Sequence, residues 1–251
     1  MHTLHSVRED AFNYVWDNAL EPALEVEDGA VVELHVRDAS DEQIRADSGP
    51  EDVMRLDFDH VNPASGPVFV EGASPGDVLA VELLEFRPPE WGWTALIPGF
   101  GLLADEFPEP WLRISRVDGT AGRVMWSDEI SLPYRPFPGT IGVAPAEPGQ
   151  HPILPPSRWG GNLDTKHLVA GSTLYLPVGV EGGSSRSATR TLRRGTARSA
   201  GRRSRPRWTS SCGSRYAGTF GSTRRSTGCP KARSPRASSR PITSAPAWVP
   251  T

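Results

Sequence analysis

The sequence predicts a mainly β protein, sandwich-like or barrel-like with few short helices, followed by a disordered basic C-terminal segment. Short runs of β-branched and aromatic residues recur through residues 1–181 between Gly, Pro and Asp turns. Helical periodicity is scarce. From Gly182 onward, apart from alanine, apolar residues are sparse and follow no period. Such a segment buries too little surface to offset its ordering entropy.

Five segments carry the strand prediction. Each has the β-branched or aromatic content that suits a pleated, half-buried surface, and turn residues separate it from the next one, as in "ASPGD" between the second and third. The predicted strands are Ala30–Val36, 66–72, 77–86, 123–127 and 172–180.

Two short helices are predicted. The first covers 41–46, with Ser40 or Asp41 as its N-cap, and the second covers 164–171, where Gly171 would close a turn or two. Prolines cluster between Pro133 and Pro156. Because proline cannot donate to a sheet ladder, this stretch is interpreted as an ordered loop that wraps the sheet, the kind of segment on which sites are often built.

The charge divides the chain in two. All 30 acidic residues and 11 of the 27 basic ones lie in residues 1–181, which therefore carry a net charge of −19. The remaining 70 residues carry 16 basic residues and no acid, so the overall net charge of −3 describes neither part. We predict a domain over 1–182 and an aberrant Arg/Ser/Pro-rich tail over 183–251.

The positions of the cysteines and the lengths of the apolar runs indicate where in the cell the protein is located. Both cysteines, Cys212 and Cys229, lie in the basic tail, so residues 1–181 hold neither a disulfide framework nor a thiolate metal site. No signal-peptide pattern is visible, and no apolar run approaches the ~20 residues of a membrane helix. A cytoplasmic protein without a membrane partner is expected.

The stretch "WGGNLDTKHL", residues 159–168, concentrates the polar chemistry. Its paired glycines allow close backbone approach to a ligand, Asn162 both donates and accepts, and an acid, a cation and an imidazole follow within four residues. On a helical turn, Asp164 and His167 would share a face and hold a metal ion or orient a water. The spacing equally fits a turn capped by Asp164 and a structural His167, and it leaves the two interpretations open.

Several blocks together resemble the acetamidase/formamidase family. The matching text includes "NPASGPVFVEGASPGDVLAVEL", "PFPGTIGVAP" and "RWGGNLDTKHLVAGSTLYLPVGVEG". The resemblance implies a mostly β fold, hydrolysis of short linear amides to carboxylate and ammonia, a homo-oligomer, and a site assisted by a divalent metal, zinc or calcium. It runs through most of residues 1–181, in blocks 16–44, 62–83, 136–145 and 158–182.

The resemblance also selects candidate site residues. Amide hydrolysis needs an activated water, a group that stabilises the oxyanion and an acid for the departing ammonia, and a metal supplies the first two. Asp164 is the leading candidate for ligand or base; Asp38, Glu71 and His60 are weaker ones, since each also suits a strand end or a turn cap. The predicted catalytic residues are Asp164, His167 and Asn162; the predicted substrate contacts are Gly160, Gly161 and Glu71; the predicted metal ligands are Asp164, His167 and Asp38.

The resemblance stops abruptly after Gly182. In the family this block continues with a sequence like "LFSVGDAHAAQGDGEVCG", whereas this chain has "GSSRSATRTLRRGTARSA". Permitted codons for Ser185 to Ala200, read one base out of register, spell SVGDAHAAQGDGEVC without a break. Loss of one C from GGG GCG CTC TTC TCG leaves GGG GGC TCT TCT CG, which encodes the observed Gly-Gly-Ser-Ser followed by Arg. We therefore predict a frameshift near Gly183 and an impaired enzyme.

The basic tail has a second explanation. Clustered arginines release phosphate counterions on nucleic acid, so the alternative is a non-catalytic β-rich binding protein with a basic nucleic-acid-binding arm. A GC-rich frame read out of register yields the same Arg/Ser/Pro/Thr composition without any function. On that ground no nucleic-acid partner is predicted, and the expected partner is a small amide substrate.

Overall fold

Two β-sheets and a short β-ladder form the protein in a computed structural model. The structure describes residues 4–8, 10–183, 185–191, 209–212 and 214–223, with backbone alone from 185 onward. The mainly β fold predicted from the sequence is confirmed. The strands are β1 Leu4–Ser6, β2 Phe12–Asn13, β3 Val15–Trp16, β4 Leu24–Val26, β5 Ala30–Val36, β6 Ala64–Val70, β7 Val78–Phe86, β8 Trp91–Leu96, β9 Trp111–Asp118, β10 Arg123–Met125, β11 Ser131–Pro133, β12 Phe137–Gly142, β13 His151–Pro152, β14 Gly160–Asn162, β15 Thr173–Pro177, β16 Ser185–Thr191, β17 Thr209–Cys212 and β18 Ser214–Thr223.

The sheets are joined by a shared apolar core. One sheet has the order β1-β5-β18-β7-β15, and the other runs β11-β10-β9-β8-β17-β16-β12-β14, with β6 also paired to β16 and flanked by β2 and β4. Strand β13 pairs with β3 alone. Alternate residues of β5 and β7, such as Leu34 and Leu83, pack against Val68 of β6 and Phe137 of β12, and all four are almost completely buried. The alternation follows from the period of two along a strand.

Both predicted helices are absent, because backbone dihedrals interrupt them. Residues 41–46 form turns with positive φ at Asp41 (54°) and Glu42 (64°), and residues 164–171 begin with Asp164 at φ 47°. A right-handed helix cannot contain such residues. In the described part of the chain the helical segments are instead the α-helix Pro50–Val53 and the 3-10 helix Phe58–His60, and none is long and apolar enough to cross a membrane.

The proline-rich stretch contains an interior strand, so its interpretation as a wrapping loop is wrong for residues 137–142. Strand β12 pairs with β14 on one side and β16 on the other, and all six of its residues are buried. Pro138 stands near its start, and residues 139–142, which contain no proline, keep their backbone donors. The rest of the stretch is mostly loop.

Part of the basic tail pairs with the domain. The disorder predicted over 183–251 stays a prediction; within that range β16, β17 and β18 pair with strands of the domain. Strand pairing satisfies main-chain donors and acceptors whatever the side chains are, so a segment without an apolar pattern can still fill the gap between β6 and β12. The remaining tail residues lie outside the described part of the chain.

Candidate active site

The "WGGN" segment forms a tight glycine ladder against β12. Gly160 pairs with Gly142 and Gly161 with Ile141. A Cβ on Gly160 would lie 2.3 Å from the Ile141 carbonyl oxygen and 2.4 Å from the Gly142 Cα, and one on Gly161 would lie 2.6 Å from the Pro155 oxygen. Both glycines have positive φ, 112° and 120°. The close approach that the paired glycines predicted is therefore an approach to the protein's own backbone, and a substrate contact there stays a prediction.

Asn162 and Asp164 are held against β12 by this ladder. The Thr140 hydroxyl donates to the Asn162 side-chain oxygen at 3.4 Å, and the Asp164 N–H donates to the Gly139 carbonyl at 3.0 Å. Both side chains are half-buried, whereas His167 is exposed. Because residues 164–171 are turns, the shared helical face that would pair Asp164 with His167 does not exist. Their catalytic and metal-binding roles stay predictions.

Asp38 acts as a buried acceptor in the loop after β5. One carboxylate oxygen accepts from the Ser40 N–H at 2.8 Å, the Ser40 hydroxyl at 2.5 Å and the Trp93 indole at 3.1 Å; the other accepts from the Glu42 N–H at 2.8 Å. The residue is only 4% exposed. Four donated hydrogen bonds, three of them to one oxygen, account for its burial and make Asp38 a structural acceptor.

Replacing Asp38 by alanine is expected to destabilise the protein by about 2–4 kcal/mol, because buried donors would lose their acceptor. Urea unfolding followed by tryptophan fluorescence measures the change. Asp47→Ala, at an exposed carboxylate in the same region, is the matched control and is expected to stay within about 0.5 kcal/mol of the parent. Equal losses in both variants would show that the Asp38 network contributes nothing special.

A second network surrounds Asp41, which the sequence suggested only as a helix N-cap and not as a site residue. Its carboxylate accepts from the Tyr14 hydroxyl at 2.5 Å and from Arg37 at 2.8 Å. Burial, followed by the hydrogen bond to Asp41 and its negative charge, raises the pKa of Tyr14 to about 12, so the phenol keeps its proton. Positive φ at Asp41 and at Asn62 (53°) is the kind of backbone strain that clusters at functional sites. That strain is the structural signal that marks this loop.

His60 lies beside this network. Its ring contacts Tyr14 edge-on with centroids 5.1 Å apart, and its Nδ1 lies 2.6 Å from the Asp57 carboxylate. The hydrogen bond to Asp57 and the charge of that carboxylate raise the pKa of His60, and the same hydrogen bond lowers the pKa of Asp57. Both side chains are exposed. His60 and Asp57 thus form a surface pair that becomes an ion pair when the imidazole is protonated.

The pair predicts a pH dependence. Since the pKa of folded His60 is raised, its stabilisation is complete below the ordinary value of 6.5 and is lost as the pH rises through the folded value. For Asp57 the stabilisation is present above the ordinary 3.8 and is lost as the pH falls through the lowered value. Proton NMR of the His60 ring is expected to show a pKa that Asp57→Asn lowers towards 6.5. An unchanged pKa in that variant would rule out the pairing.

The other predicted residues lie apart from these networks. Glu71 follows β6 with an exposed side chain, and its N–H donates to the Val26 carbonyl at 2.8 Å, which extends the pairing of β6 with β4. No three His, Cys, Asp or Glu side chains among the described residues form a group that would hold a metal ion. The predicted ligands Asp164, His167 and Asp38 therefore do not form a metal centre by themselves.

The chain is a mainly β protein whose architecture is similar to that of solved acetamidases. The crystal structure of an acetamidase from Bacillus halodurans matches with a TM-score of 0.78 and 27% identity, over 88% of this chain and 70% of that one. The acetamidase/formamidase family model matches residues 3–151, more than half of the sequence. The chain belongs to the acetamidase/formamidase family.

Characterised relatives are similar but longer. A formamidase from Methylophilus methylotrophus is 27% identical over 221 residues, which is 67% of this chain and 54% of that protein. An acetamidase from Mycolicibacterium smegmatis is 25% identical over 227 residues, 66% of this chain and 56% of that protein. The chain thus spans about half the length of the curated relatives it matches.

Proposed function

We propose that the protein encoded in the uninterrupted frame hydrolyses short linear amides of the formamide or acetamide type to carboxylate and ammonia, and that this polypeptide is an impaired copy. The family match over residues 3–151 carries the proposal. It is supported by relatives described as a formamidase and an acetamidase, which share about a quarter of their aligned residues with this chain.

The residues next to β12 suit this chemistry. Because the Asn162 side-chain oxygen accepts from Thr140, its amide nitrogen is left to donate to a substrate carbonyl. Asp164 is the proposed base that takes a proton from the attacking water, and His167 is the proposed acid for departing ammonia. This division of labour requires His167 to turn towards the site from its exposed position.

The position of β16 supports the frameshift. In the shifted frame an aspartate spans the codons of residues 188 and 189, and a histidine spans those of 190 and 191. Residue 188 pairs with Thr140 of β12 on one side and with Ala64 of β6 on the other. The altered sequence therefore occupies an interior strand. With the base restored the aspartate is residue 189, and its neighbour, residue 188, is one pairing away from Thr140 and two pairings away from Asn162. Replacing an acid and a histidine there removes chemistry that no other described strand supplies at that place.

The divalent metal, zinc or calcium, belongs to the proposal for the uninterrupted frame. When bound, a metal lowers the pKa of a water and polarises a carbonyl. The described residues do not fit it alone, since Asp38 already accepts four hydrogen bonds and no group of three ligands is present in the described part. Metal analysis by mass spectrometry is expected to find stoichiometric metal only in the frame-restored protein. The cytoplasmic location and the homo-oligomer stay predictions.

Ammonia release tests the proposal directly. The chain as written is expected to release little or no ammonia from formamide and acetamide, and sequencing the gene across the Gly182 codon is expected to reveal a missing base. Turnover typical of an intact amidase from the chain as written would refute the impairment. An intact gene together with an inactive frame-restored protein would refute the frameshift.

A further inference from the structure

Five strands, β2, β6, β16, β12 and β14, present a row of aligned residues on one face of the larger sheet. Asn13 pairs with Ala64, Ala64 with residue 188, residue 188 with Thr140, and Thr140 with Asn162. Residues directly opposite each other in antiparallel strands share a face. Asn13, Ala64, Thr140 and Asn162 therefore belong to one face, on which small residues separate polar ones.

Trp16 covers this face. It packs with Ala64 in one hydrophobic cluster, together with Ile153 and the flanking Trp159. Its ring atom Cη2 lies 3.0 Å from where a Cβ on Gly142 would stand. Gly142 is two residues beyond Thr140 in β12, so both point to the same side of the sheet. Two separate contacts thus place the indole over the row, and the residue is completely buried.

The indole N–H of Trp16 has no acceptor among the described residues. Indole is a donor only, and a buried donor without a partner costs about 1–3 kcal/mol. Folded proteins rarely leave such groups unmatched, and each one that remains calls for a bound water, an ion or a functional partner. Here the indole lies over the row that contains Thr140 and Asn162, and Asn162 is proposed to meet the substrate carbonyl.

We infer that Trp16 is a substrate-binding residue whose indole N–H donates to the carbonyl oxygen of a short neutral amide. The inference rests on the proposed amidase function and identifies the residues around the indole that would select the substrate. Ala64 and Gly142 keep the sheet beneath the indole flat, and Ile153 and Trp159 give the site an apolar side. These surroundings suit a hydrogen or a methyl group on the acyl carbon and exclude a branched one.

Indole NMR of the full chain tests the contact. Among the 8 tryptophans, the Trp16 resonance is identified as the one lost in Trp16→Phe. Acetamide is expected to shift this resonance saturably, and 2,2-dimethylpropanamide is expected to leave it in place. A resonance that acetamide does not move would overturn the inference and would indicate a bound water as the acceptor.

Kinetics of the frame-restored protein separate this inference from the proposed function. Trp16→Phe is expected to raise the KM for acetamide about tenfold, which corresponds to about 1.4 kcal/mol. Trp126→Phe, on the ring that packs against Trp111 at 6.0 Å, is the control and is expected to leave KM unchanged. Ammonia release with an unchanged KM in Trp16→Phe overturns the inference alone. A shifted Trp16 resonance together with no ammonia release from the frame-restored protein overturns the proposed function alone.

Discussion

Restoring one base in the Gly183 codon is expected to raise ammonia release from formamide and acetamide by at least about 100-fold over the chain as written. The size of the effect follows from the aspartate and histidine that the restored frame encodes. Loss of one group that acts on the transition state typically reduces turnover by about 10²–10³. The restored codons replace residues 185–191 of β16, which lie between β6 and β12. In the restored frame the aspartate becomes residue 189 of β16, next to residue 188, which pairs with Thr140.

Two control genes make this test specific. Inserting three bases at the same codon adds a residue but keeps the present frame, and it is expected to leave ammonia release unchanged. Converting the restored aspartate of the 188 and 189 codons to asparagine is expected to return activity towards that of the chain as written. A folded, frame-restored protein that releases no more ammonia than the present chain would contradict the prediction.

Gly160→Ala is expected to destabilise the protein by more than about 3 kcal/mol or to prevent its folding. The new Cβ would lie 2.3 Å from the Ile141 oxygen and 2.4 Å from the Gly142 Cα. Backbone atoms cannot yield as the end of a flexible side chain can, so β12 and β14 would have to separate. The positive φ of 112° adds strain for any residue with a Cβ. Urea unfolding monitored by tryptophan fluorescence measures the loss.

Gly149→Ala is the matched control for this change. Gly149 also has a positive φ, 95°, but a Cβ there meets nothing within 4 Å. It isolates the backbone strain, which we expect to cost about 1 kcal/mol. The difference between the two variants measures the steric part of the effect. Similar losses would show that the close contact of β14 with β12 is not rigid.

Local patterns predicted the strands well where they reflect burial. The runs at Ala30–Val36 and 77–86 carry alternating apolar residues because each strand has one face on the core, and both strands form as predicted. Strand β12 escaped prediction because its prolines suggested a loop, whereas its burial comes from β14 and β16, which are distant in sequence. The two predicted helices failed because their turns take positive φ at Asp41, Glu42 and Asp164, and propensity does not encode this.

By itself, the sequence determined the β class, the family resemblance and the break after Gly182, since composition, motifs and the possible codons can all be read from consecutive residues. Only the tertiary structure decided what individual side chains do. Asp38 became a buried hydrogen-bond acceptor and Gly160 a packing glycine, because their neighbours come from other strands and loops. Trp16 was placed over Ala64 and Gly142 by the register of strands far apart in sequence. Cross-strand pairing sets such environments, and no local pattern carries that information.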